Sequence, residues 1–186
     1  MEGDGPPIND CCSICHGNFN IPCQANCSHW FCGHCILQLW DHGSTLLPCR
    51  CPLCRRPINL LIPTEASMQQ RVNPEVANII GRLELYNRRY GERSNNLNQR
   101  LRDLPFLLRR LLRDLLDPQR SLPFVIKARV YLAMFLSFLY LLSPVDIIPE
   151  GIVGVIGLLD DMIIVLICML HVAAIYRSTL VNRHGG

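Results

Sequence analysis

Apolar positions change their spacing three times along the chain. Near the N-terminus the stretch GHCILQLW predicts a short helix with Ile36, Leu39 and Trp40 on one face at i, i+3, i+4. Between residues 73 and 91 the spacing is helical throughout. Asn73 reads as an N-cap with Pro74 at the first helical position, Val76, Ile79, Ile80, Leu83, Tyr86 and Tyr90 form one stripe, and Gly91 ends it. This linker helix is followed by the polar gap ERSNNLN. Over 97–117 leucines then alternate with Arg100, Arg102, Arg109, Arg110 and Arg113, predicting a basic amphipathic helix with Pro105 at a start or kink. Such a helix suits the anionic face of a lipid bilayer or the surface of a partner, and the apolar segments that follow favour the bilayer.

Residues 124–177 read as a membrane-embedded helical hairpin. VYLAMFLSFLYLLSPV carries no charge over sixteen residues, DIIPEG forms the turn, and IVGVIGLLDDMIIVLICMLHVAAIY follows. Sixteen helical residues reach about 24 Å against a hydrocarbon core of about 30 Å, so the first crossing borrows Phe124 to Arg129, with Lys127 and Arg129 snorkelling outward. The second stretch is long enough but contains Asp160 and Asp161. Each charge at mid-membrane costs about 2.5–3.5 kcal/mol, which the surrounding apolar side chains outweigh if both carboxylates face the hairpin interior.

Composition sharpens this division. A 49% hydrophobic content with formal charge +3 excludes an extended disordered polymer. Ten of the eleven cysteines lie in the first 65 residues, whereas residues 130–176 hold no Lys or Arg. Eleven basic residues fall between 88 and 129, Arg177 and Arg183 follow the second apolar stretch, and the turn has Asp146 and Glu150 without a basic residue. Both ends are therefore expected in the cytosol. The start MEGDGPPIND lacks the basic and apolar parts of a secretory signal, so the cysteine-rich part is expected to stay reduced. Nucleic-acid binding is disfavoured, because the basic residues precede a membrane segment and lack interleaved aromatics.

Reduced thiols beside histidines point to metal. The spacing is Cys12-x2-Cys15, Cys27-x-His29, Cys32-x2-Cys35 and Cys51-x2-Cys54, which gives four pairs and eight ligands, enough for two closed tetrahedral zinc sites. Spacing alone permits either consecutive or interleaved sites. Cys11, Cys23 and Cys49 remain as spare thiols, and His16, His34 and His42 as surface histidines. About 45 residues cannot bury enough apolar surface to offset chain entropy, so metal ligation must supply the missing stability. A site with four protein ligands keeps no open position for water; these ions are structural, and no residue is expected to be catalytic.

The order of three Cys, one His and four Cys over residues 11–57 resembles the RING finger, a small zinc-stabilised, cross-braced fold. The resemblance implies that Cys12, Cys15, Cys32 and Cys35 share one zinc while Cys27, His29, Cys51 and Cys54 share the other. It further implies a groove for a ubiquitin-conjugating enzyme (E2) at Ile14, Trp40 and Pro52, and a linchpin at Arg55 that hydrogen-bonds both ubiquitin and the E2. With SPVDIIP, GLLDD, YNRRY and DLPFLLRRLLRDLL, the layout is similar to endoplasmic-reticulum RING-type E3 ubiquitin ligases that end in a helical-hairpin domain of unknown function. That family carries a further membrane segment before its RING, whereas ten residues precede Cys11 here, so membrane residence rests on the hairpin.

The resemblance implies a multi-pass ligase with the RING and both termini cytosolic, an E2, ubiquitin, a membrane-protein substrate and the bilayer as partners, and a role in membrane-protein quality control. A zinc-dependent adaptor that binds without stimulating transfer is the alternative; a channel with a RING appendage needs more than two helices. Asp146, Asp160 and Asp161 are read as helix caps or hairpin contacts in preference to a cation path, with Asp160 starting a helix after a break. His171 is read as an interior polar contact. Lys127 is the sole lysine beside seventeen arginines, which confines self-ubiquitination to Lys127 or the N-terminal amine.

Overall fold

The computed structural model describes residues 5–43, 46–91, 97–116, 124–142 and 155–184, without the side chains of 124, 126, 137, 140–142 and 155–161. Two compact units result, one of Met1–Phe106 with Ser178–Gly186 and one of Leu107–Arg177.

The first unit is organised by a three-stranded antiparallel sheet of order β2-β1-β3, with β1 at Pro22–Ala25, β2 at Trp30–Cys32 and β3 at Leu61–Pro63. Strands of three and four residues cannot hold together without help, and here they are tied to two helices. Helix α1 (Gly33–His42) follows β2 directly and buries Ile36, Leu37 and Trp40. Helix α2 (Glu65–Gln69) starts where the Thr64 hydroxyl accepts from the Ser67 amide, and a 3-10 turn at Gln70–Val72 leads on. Helix α3 (Pro74–Tyr90) is capped by the Asn73 side chain on the Glu75 amide at 3.0 Å, with Pro74 in the first turn.

The stripe predicted for α3 is the face it buries. Leu83, Tyr86 and Tyr90 enter one core with Phe31, Ile36, Leu37, Trp40, Ile58 and Leu61, and Ile80 and Val76 cover Ile21. Ile21 itself has φ +48°, an unusual backbone for a β-branched residue, held by that packing and by Gly33 N–H donating to its carbonyl. The linker helix is thus part of the same folded body as the cysteine-rich segment.

Beyond it come α4 (Leu97–Leu116), α5 (Phe124–Leu142) and α6 (Val155–His184). Pro105 lies inside α4 instead of starting it. Two further expectations change. α6 begins five residues before Asp160 and runs unbroken past it, so Asp160 does not open a helix; Asp160 and Asp161 occupy its second turn. The helix also continues beyond Arg177, where the hairpin was expected to end, to His184. Asp146 lies outside the described residues. Among the described residues one stretch, Met162–His184, is long and apolar enough to cross a membrane.

Candidate metal centres

Both flanking CxxC turns have the same backbone. At the first, the His16 amide donates to the Cys12 carbonyl and the Cys12 amide to the Gly17 carbonyl; at the second, the Arg55 amide donates to Cys51 and the Cys51 amide to Arg56. The residue after each turn, His16 or Arg55, is left-handed at φ +58° and +59°. That repeated knuckle aims two thiols at one point. Ser28, at φ +71°, bends the chain so that Cys27 and His29 face together, and β2 runs into α1 to bring Cys32 and Cys35 onto one turn.

The result is two sets of four. Cys12, Cys15, Cys32 and Cys35 gather in one, Cys27, His29, Cys51 and Cys54 in the other, with all ligand atoms of each set within 4.8 Å of one another. The pairs therefore interleave, first with third and second with fourth, as in a cross-braced RING. Tetrahedral zinc with bonds of about 2.0–2.3 Å sets its ligand atoms about 3.5–3.8 Å apart. Cys15 and Cys32 sulfurs stand 4.0 Å apart, and His29 Nδ1 lies 3.4 Å from the sulfurs of both Cys27 and Cys51. These two sets fit two structural zinc ions.

Charge argues the same way. Burial opposes the Cys12 thiolate, but backbone N–H groups of Cys32, Cys15 and Ile14 outweigh it and bring the thiol down to about 7. Burial likewise opposes the Cys54 thiolate, and the Arg56 guanidinium overrides it to reach about 6. Burial and neighbouring thiols push Cys27 and Cys35 upward and Cys32 to about 11. One or two thiolates form unaided in this crowded environment; a full set needs a dication to neutralise it.

The remaining predicted residues are dispersed around these centres. Ile14 is half-buried on the first knuckle, and Pro52, Leu53 and Arg55 are exposed on the second. Arg56 is occupied, donating to the Cys27 carbonyl at 3.1 Å, so the two adjacent arginines have different surroundings. Trp40, expected in a surface groove, is only 6% exposed, and its ring meets Tyr86 edge-on at 5.2 Å and Tyr90 at 6.1 Å. The half-exposed apolar residue of that helix is Leu39. Among the spare thiols, Cys23 is fully buried and donates to the Phe31 carbonyl, Cys49 lies against the Tyr86 hydroxyl, and Cys11 is exposed. His16, His34 and His42 are exposed, and Lys127 is half-buried on α5.

Two asparagines escaped the sequence pattern. Asn26, next to the ligand Cys27, is buried and takes the Asn59 amide on its oxygen at 3.2 Å while donating to Asp103 at 3.0 Å. Asn87 of α3 pairs with both backbone groups of Leu61, at 2.8 Å to N–H and 2.7 Å to C=O. Polar residues in such positions read as solvent-facing, and no spacing rule singles them out.

A family model described as "Protein of unknown function (DUF1232)" matches residues 130–167. The chain is similar to the E3 ubiquitin-protein ligase RNF170 of Xenopus laevis, 34% identical over 172 residues that cover 92% of this chain and 65% of that protein. It is also similar to the RNF170 ligase of Danio rerio, 34% identical over 180 residues, covering 94% of this chain and 67% of that one. RING finger protein 151 of Bos taurus is 35% identical over 80 residues, or 43% of this chain and 28% of its own. The chain spans about two thirds of the length of its RNF170 relatives. No solved structure matches it. With this much of both chains in register, and the interleaved ligand sets within the aligned part, the chain belongs to the RNF170 family.

Proposed function

We propose that the chain is a RING-type E3 ubiquitin ligase of the endoplasmic-reticulum membrane, which holds a ubiquitin-charged E2 so that a substrate lysine attacks the thioester. The carrying observation is the pair of closed four-ligand sets, with exposed apolar residues and the exposed Arg55 on their knuckles. Ile14 and Leu39, half-buried, and Pro52 and Leu53, exposed, offer an apolar docking face, and Leu46 and Leu47 are 70% and 65% exposed. Trp40 acts from beneath, as the floor of that face. Arg55, exposed and left-handed on its knuckle, directs its donors outward, while Arg56 is engaged with Cys27. Zinc does no chemistry here; the gain in rate comes from positioning the thioester.

The names of the relatives support the activity, and the outer surface of the helices supports the anchor. On α5, residues Tyr131 to Leu139 expose Tyr, Leu, Met and Phe side chains, and on α6 Met162, Ile163 and Ile167 are more than half exposed. Apolar faces of that extent fit lipid better than water. The substrate class follows from the location: membrane proteins in a quality-control or degradation route, modified on the cytosolic side. Lys127, the one lysine in these 186 residues, and the N-terminal amine are the acceptors for self-modification; peptide mapping of the self-ubiquitinated chain is expected to find conjugates only at these two, and conjugates at Ser, Thr or Cys contradict it.

The deciding experiment is single-turnover discharge of ubiquitin from a charged E2 to free lysine, using the full chain in lipid nanodiscs. Wild type accelerates discharge, and Arg55→Ala loses most of the acceleration while retaining two zinc ions. Binding of the E2 without acceleration by wild type supports the adaptor reading; equal rates for both proteins remove the linchpin role.

A further inference from the structure

The second knuckle carries Pro52 and Arg55, and its own groups tie it only to the Cys27–His29 turn, through the shared ligand set and the Arg56 bond to the Cys27 carbonyl, not to α1. It is a loop closed at its neck, where the Ile58 amide donates to the Cys49 carbonyl at 2.9 Å and Arg50 pairs with Pro57 as a single antiparallel bridge. Its zinc ligands tie two points of the loop to Cys27 and His29. The angle of the whole loop against α1 depends on what grips the neck.

Two side chains from outside do so: Asn26 donates to the Pro57 carbonyl at 3.4 Å, and Tyr86 bonds both strands. The Tyr86 hydroxyl on α3 donates to the Ile58 carbonyl and accepts from the Cys49 amide at 3.1 Å, so one oxygen joins the two strands of the neck. The Cys49 thiol lies 3.2 Å from the same oxygen. Tyr86 and Ile58 are both fully buried, so water cannot replace these bonds. The ring of the same tyrosine meets Trp40 at 90° and 5.2 Å, with Tyr90 behind it at 4.8 Å. Arg82, one turn earlier on α3, adds a bond to Asp41 at 2.6 Å, fastening α3 to the end of α1. A single residue therefore touches both elements that supply the docking rim: α1 through Trp40, and the knuckle through its neck.

We propose that Tyr86 is a positioning residue for ubiquitin transfer, with its hydroxyl setting the angle of the Cys51–Arg55 knuckle against α1 and so the reach of Arg55. This rests on the ligase reading. It extends the machinery beyond the zinc-binding segment to a helix that looks, in sequence, like a linker.

Tyr86→Phe removes one oxygen and keeps every ring contact, which separates the clamp from the core. The full chain in nanodiscs is assayed for zinc content by native mass spectrometry and for discharge to free lysine across a range of charged E2, in wild type, Tyr86→Phe, Arg55→Ala and the double variant. Tyr86→Phe is expected to keep two zinc ions and to lower the maximal discharge rate about three- to tenfold, the range of one buried hydrogen bond. On the Arg55→Ala background the same change is expected to cost less than about twofold, because the residue it positions is already gone. A merely structural role predicts equal losses on both backgrounds, and that result overturns the proposal. So does a Tyr86→Phe protein that discharges at the wild-type rate. Failure of wild type to accelerate discharge is a different result: it removes the ligase reading itself, and the clamp's role with it.

Discussion

Two asparagines on one helix show how much a side chain's surroundings decide its worth. Asn73 caps the start of α3 in an exposed position, where water can take over its single bond to Glu75. Asn87 is fully buried and imitates a neighbouring strand, covering the open edge of β3 through both backbone groups of Leu61. It also donates to the His184 carbonyl at 3.2 Å. Asn73→Ala is expected to cost about 1 kcal/mol, the usual value of a cap. Asn87→Ala leaves a buried amide and carbonyl without partners and is expected to cost about 3 kcal/mol. Thermal unfolding of the zinc-loaded protein, followed by the combined fluorescence of Trp30 and Trp40, distinguishes the two; similar shifts contradict the edge-covering role of Asn87. Gly91 belongs to the same corner. A Cβ there would stand 2.4 Å from the Asn87 carbonyl oxygen and 2.6 Å from Val181 Cγ2, so Gly91→Ala must displace backbone.

Among the elements, α3 completes the fold of the zinc segment. Without it, Trp40, Ile36 and Leu61 lose Leu83, Tyr86 and Tyr90 as neighbours, and each such buried side chain contributes up to about 1.5–3 kcal/mol. A fragment ending at residue 65 is therefore expected to bind zinc yet show a weak near-ultraviolet tryptophan signal and aggregate, whereas one ending at residue 91 shows a fixed aromatic signal. Equal spectra from the two fragments defeat this account. The same contrast explains what could be read from the sequence. Ligand spacing was legible because thiolates must converge on one ion, a requirement confined to a few residues around each pair. The apolar stripe of α3 was legible as a stripe, but its periodicity does not say which surface it covers. The three strands were too short for alternation to register. The RING resemblance implies a surface place for Trp40, and it lies inside because two tyrosines from α3 cover it.

At the scale of the whole chain the decisive contrast lies along α6. Its early turns expose Met162, Ile163, Leu166 and Ile167, while from Val172 onward a stripe of Val172, Ala173, Tyr176, Leu180, Val181 and His184 is buried. Tyr176 donates to Asp114 of α4, and both are buried, which argues that this part of the helix packs on protein. In a double crossing that ends where α6 turns to protein, α6 would give residues 155–171 to the hydrocarbon, about 26 Å, and α5 would give 124–142, about 28 Å. Each length approaches a core of about 30 Å. Asp160 and Asp161 then fall in the second turn, near one interface, where a carboxylate costs less than at the centre. The basic residues lie on the far ends of both helices, so a double crossing puts the connecting turn in the lumen. An N-glycosylation acceptor inserted between Ser143 and Gly151 is expected to be glycosylated in microsomes, and one appended after Gly186 is expected to stay bare. An unmodified turn in a protein that resists carbonate extraction makes the pair a re-entrant hairpin; glycan at the C-terminus reverses the orientation and removes the proposed ligase surface from the cytosol.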